Sequence, residues 1–149
     1  MMKILIFLLI LLPTLGAALE YTVGDLKIGH PVARETALTA MSGAGYFTVT
    51  NAGDVDDVLL GVRADFPRVM MHETETVDDI VKMMHIESLI IPAGKKVTFS
   101  PGGKHIMFMG LNGDPFEEGE TIPATLVFEN SGEIAIEFNV EKMTQGHSH

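Results

Sequence analysis

Turn-forming residues recur at intervals of roughly 8 to 12 positions from Glu20 onward, and this rhythm constrains the fold more than any other feature of the chain. Asn51-Ala-Gly53-Asp54, Pro101-Gly102-Gly103, Asn112-Gly113-Asp114-Pro115 and Asn130-Ser-Gly132 supply the positive φ values and the fixed proline φ that reversals need. Between such signals lie short β-prone stretches: Tyr21 to Ile28, Gly45 to Thr50, Val58 to Arg63, Val69 to Thr74, Ile80 to His85, Lys96 to Ser100, Lys104 to Met109, Ala124 to Glu129 and Glu133 to Val140. No helical period, internal repeat or long linker interrupts them. In the last stretch Ile134, Ile136, Phe138 and Val140 alternate with Ala135, Glu137, Asn139 and Glu141, so it packs on a core from one side. The pattern predicts an all-β sandwich or barrel, and 149 residues fit a single domain with a sizeable core.

Residues 1–18 have a different character. Lys3, the apolar run Ile4 to Leu12, Pro13 and the small residues Gly16, Ala17 and Ala18 read as a secretory signal peptide cut after Ala18 or Ala17. That run is too short for a permanent span, and no later segment approaches the ~20 apolar residues a spanning helix needs, so the expected mature domain, 19–141, is soluble and not membrane-embedded. The chain has no cysteine, which removes disulfides, thiolate ligands and a cysteine-borne lipid, and leaves the fold to rest on its core. Its formal charge of -10, one unit more negative without Lys3, disfavours nucleic acid and anionic lipid and suits cations or basic protein surfaces.

Methionine and histidine carry the chemical signal. Met70, Met71 and His72 form one group, Met83, Met84 and His85 a second, His105, Met107 and Met109 a third, and Met143, His147 and His149 lie in a tail, 142–149. Strand alternation puts His105, Met107 and Met109 on one face, with Ile106 and Phe108 turned to the core. Thioether and imidazole donors without carboxylate or thiolate select copper(I) over zinc, calcium or magnesium. A thioether forms no disulfide and has no proton to lose, which suits an oxidising compartment. The missing cysteine argues against a blue-copper electron carrier, whose site needs a thiolate. Methionine also fills irregular gaps in cores, and Met41, Met71 and Met84 read that way. His30, beside Pro31, reads as a surface or turn histidine. Met70 and Met109 share parity with the donors and are candidate auxiliaries, and His85 is either an auxiliary or a polar surface residue.

The spacing His72-x10-Met83-x21-His105-x1-Met107 resembles the signature of the periplasmic copper chaperone PCu(A)C family. The segments Ile90-Ile91-Pro92-Ala93-Gly94, Pro101 to Leu111 and Glu118-Gly119-Glu120 are similar to that family too, and the likeness runs from about Ser42 to Val140. The resemblance implies a cupredoxin-like β-sandwich of Greek-key type in the periplasm. It implies copper(I) held by His72, Met83, His105 and Met107 and delivered toward the copper centre of a haem-copper respiratory oxidase, with a Sco-type thiol protein and cytochrome oxidase subunit II as partners. The tail resembles the Met- and His-containing extensions of some members, and His147 and His149 are then candidates for copper(II). No acid, base or nucleophile is called for, so the expected role is not enzymatic. Copper storage or resistance is the alternative within the same chemistry. A copper oxygenase chelating through a mature N-terminal histidine would need His where Leu19 or Ala18 stands.

Overall fold

A computed structural model describes residues 20–142, and the expected signal peptide and His147 and His149 lie outside them. All eleven regular elements are strands: β1 (Glu20–Val23), β2 (Leu26–Arg34), β3 (Ser42–Asn51), β4 (Asp57–Ala64), β5 (Arg68–Val77), β6 (Ile80–Ile86), β7 (Leu89–Ile91), β8 (Lys96–Thr98), β9 (Lys104–Met109), β10 (Thr121–Phe128) and β11 (Gly132–Glu141). Among the described residues there is no helix, and so none long and apolar enough to cross a membrane. The hydrogen-bonded order is β6-β5-β9-β3-β2-β11-β10-β4-β7, with β1 on β2 and β8 on β3. This path folds back on itself, because β4 meets β5 and β3 meets β7 across the interior. Pairing is antiparallel except between β2 and β11.

Two expectations need correction. Tyr21 to Ile28 is a hairpin rather than one strand: Gly24 takes φ of 54° and reverses the chain between β1 and β2. Leu89–Ile91 is a strand, β7, on the edge of β4, and it was not among the expected stretches. The other strands fall where the turn signals place them, to within a few residues at each end.

The core follows the period of two. Phe47 and Val49 of β3, Ile106 and Phe108 of β9, Leu126 and Phe128 of β10 and Ile136, Phe138 and Val140 of β11 all face inward and are almost fully buried. Phe108 sits at the centre, its ring 5.2 Å from Phe66, 5.6 Å from Phe116 and 5.5 Å from Phe138. Gly45 of β3, paired with Ile106, lies against this ring: a Cβ there would come 2.9 Å from the Phe108 ring and 3.0 Å from that of Phe138, so glycine leaves the room the two rings fill. Burying a phenylalanine contributes about 1.5–3 kcal/mol, and each well-placed aromatic pair about 0.5–1.5 more. This packing fixes the rotation of β9 and turns its odd-numbered residues away from the core.

A polar node closes the loops that follow β3 and precede β11. Asp57, 3% exposed, accepts hydrogen bonds from the backbone N–H of Val58, Asn130 and Ser131 and from the Ser131 hydroxyl. Asn51, 2% exposed, donates to the carbonyls of Val55 and Ile91 and accepts from Gly53. Burial alone would raise the Asp57 pKa, and these hydrogen bonds outweigh it and hold the carboxyl below its usual range.

Candidate metal site

Three neighbouring strands bring the soft donors together. In the β5–β9 ladder His72 lies opposite His105 and Met70 opposite Met107. In the β5–β6 ladder His72 lies opposite His85 and Thr74 opposite Met83. The three histidines therefore form a row across β9, β5 and β6, with ring centroids 5.8 Å apart at each step and the rings nearly perpendicular. Met107 and Met70 lie on one side of this row and Met83 on the other.

The rings are prepared differently. His105 is 6% exposed, and its Nδ1 lies 3.1 Å from the Gly103 carbonyl. Donation from Nδ1–H to that oxygen fixes the tautomer and leaves Nε2 with a free lone pair. The Nδ1 of His72 is buried with no hydrogen-bond partner. Its pKa is lowered by burial first, then by His105 and His85, so the ring is neutral near pH 7, the state a metal ligand requires. Beneath the row, on the opposite face, Lys104 pairs with Glu73 at 3.1 Å and ties β9 to β5.

Among the described residues no three of the His, Asp or Glu side chains converge on one point. Two adjacent imidazoles can share an ion, and further donors must come from thioether sulfur, a set that favours copper(I). Met107 is partly buried and also lines a cleft of about 410 Å3 with Arg34, Tyr46 and Pro101. Met83 is 53% exposed on the edge strand. A larger hollow of about 650 Å3, between Tyr21, Arg63 and Glu137, contains no soft donor and is unrelated to this chemistry.

The structure thus brings His72, His105 and Met107 together and places Met83 one step further out. Met70 sits directly across from Met107, whereas Met109 lies four residues along β9 from His105, about 13 Å at the ordinary strand rise. His85 is the residue that the sequence underweighted, since shared parity with Met83 was the only clue to its place beside His72. His30 is exposed, with φ of 52°, at an irregularity within β2, so it is a surface histidine of a strand rather than of a turn. Met71 packs in the core at 3% exposure, but Met41 at 65% and Met84 at 42% do not, so the packing expectation fails for those two. Met84 alternates away from the donor face on a strand with no layer above it, and Met41 precedes β3 in a loop.

Comparison with known proteins places the fold. Residues 26–140 match the family described as "Putative lipoprotein LpqE-like". This chain belongs to the LpqE-like family. "Putative lipoprotein Lxx21020" of Leifsonia xyli subsp. xyli is 34% identical over 113 residues, covering 73% of this chain and 68% of the relative. Among solved structures, the copper-bound PCuAC domain from PmoF2 is 32% identical with a TM-score of 0.69, covering 83% of this chain and 98% of that domain. The copper(I) form of DR1885 from Deinococcus radiodurans is 26% identical with a TM-score of 0.63, covering 89% of this chain and 85% of its own. With these neighbours the LpqE-like chain shares the cupredoxin-like β-sandwich that the signature implied.

Proposed function

We propose that this LpqE-like protein is an exported, periplasmic copper(I) chaperone that carries the ion rather than transforming a substrate. In this reading His72, Met83, His105 and Met107 hold copper(I), Met70 is an auxiliary donor beside Met107, and the tail supplies His147 and His149 to copper(II). The recipient is the copper centre of a haem-copper oxidase, reached with a Sco-type thiol protein or directly at subunit II. The observation that carries the reading is the facing pair His72 and His105, one nitrogen buried without a partner and the other ring oriented by the Gly103 carbonyl, with Met107 beside them. Likeness to a copper-bound domain supports it, and the lipoprotein relative supports export. Neutral donors that exchange one at a time let the ion leave without acid, base or redox chemistry.

A competitive copper(I) titration against a chromogenic chelator tests the reading. Tight one-to-one binding by the chain, lost in a His105→Ala, Met107→Ala double variant, is the expected outcome. Weak binding, or no difference between the two proteins, would sink it. Respiration in scarce copper then separates delivery from storage, because only delivery predicts an oxidase defect when the protein is missing.

A further inference from the structure

Each of three adjacent strands places a histidine and a methionine two residues apart on one face: His105 and Met107 on β9, His72 and Met70 on β5, His85 and Met83 on β6. Exposure rises along the histidine row. His105 is 6% exposed, His72 is partly buried, and His85 is exposed on β6, the terminal strand of the sheet path. Ring centroids 5.8 Å apart at both steps let one ion sit between either neighbouring pair, given imidazole-to-metal bonds of about 2.0–2.1 Å. His85 and His105 lie on opposite sides of His72, each on a strand paired with β5, so each can share an ion with His72 from its own side. His72, whose buried Nδ1 has no other partner, is common to both positions.

We propose that His85 is the exit ligand of the site: copper(I) passes from His105 and Met107 toward His85, with His72 and Met83 retained. The inference rests on the copper(I) reading above. Met107 lets go first and His85 then takes the place of His105; every donor is neutral, so no electron is transferred and no proton has to be displaced. The ion moves from the covered side of the row to an exposed edge, where a recipient's thiolate or thioether can reach it. On this account His85 governs how fast copper enters and leaves, while the inner donors govern how tightly it is held.

The test loads the full chain with copper(I) and follows its transfer to bathocuproine disulfonate by stopped-flow absorbance, alongside the equilibrium affinity. In His85→Ala, release and loading both slow about ten-fold while affinity stays within about three-fold, since a position on the path changes both rates by the same factor. His85→Met, which restores a soft donor, recovers the rate. An unchanged release rate in His85→Ala overturns the exit role. So does a large loss of affinity, which would make His85 a resident ligand, or a failure of His85→Met to recover the rate, which would make the ring's shape the cause. Failure of the unaltered chain to bind copper(I) is a different result and removes the chaperone reading itself.

Discussion

Asp57 on β4 and the Nδ1 of His72 on β5 are both shut away from water, and their surroundings are opposite. Asp57 accepts four hydrogen bonds, which join the start of β4 to the turn between β10 and β11. His72 Nδ1 has none. A buried polar group that is fully paired contributes to the fold, whereas one left unpaired costs free energy unless something outside the chain completes it. The contrast separates a polar cluster completed within the chain from one that is not, and it can be broken by experiment.

The largest effect expected is on metal affinity. A His72→Ala, His105→Ala double variant should lose at least about a thousand-fold in copper(I) affinity, measured by chelator competition, since even outer partners of metal ligands are worth about 10–100-fold each. His72→Ala alone should change the metal-free stability by less than about 1 kcal/mol, because no hydrogen bond of His72 Nδ1 is lost. Asp57→Ala should do the reverse. Four donors lose their acceptor, so urea unfolding should show a loss of about 3 kcal/mol with copper(I) affinity unchanged. Equal losses of stability in both variants would erase the distinction.

A pH series sharpens the comparison further. The folded Asp57 carboxyl stays ionised to lower pH than in the unfolded chain, where its pKa is about 3.9. Its contribution is therefore complete above that pH and drains away as pH falls through the depressed folded value. The unfolding free energy of the natural protein should fall more steeply below about pH 4 than that of Asp57→Asn. The smallest effect belongs to the partly exposed Glu73–Lys104 pair beneath the histidine row. Glu73→Gln should cost under about 1 kcal/mol in thermal or urea unfolding and leave copper(I) affinity within two-fold or so.

Most strands were legible because Gly, Asn and Pro mark where the chain must turn, and a period of two names the buried face. The hairpin of β1 and β2 escaped because its reversal occupies only Gly24 and Asp25 inside an otherwise continuous β-prone run. β7 escaped because three residues carry no period. The site was half legible for the same reason. Alternation within β9 correctly grouped His105 with Met107, since that relation is local. That His72 faces His105 on one side and His85 on the other depends on the register of two ladders, one of them joining strands about thirty residues apart. Register of that kind is set by contacts between segments distant in sequence, and no local window contains it. Met41 and Met84 show the complementary failure, because a methionine among apolar neighbours faces the core only when a layer exists to cover it.

The parallel pairing of β2 with β11 bears on the order in which the molecule can assemble. β11 lies between β2 and β10 in the sheet path, so the first long strand and the last described one must meet before the two halves are joined. A chain that emerges amino end first cannot complete its sheet until residue 141 is free, and contacts of such long range also slow the closing step. Closure of the sheet thus waits on that pairing, whereas β5, β6 and β9, which carry the histidine row, pair without β11.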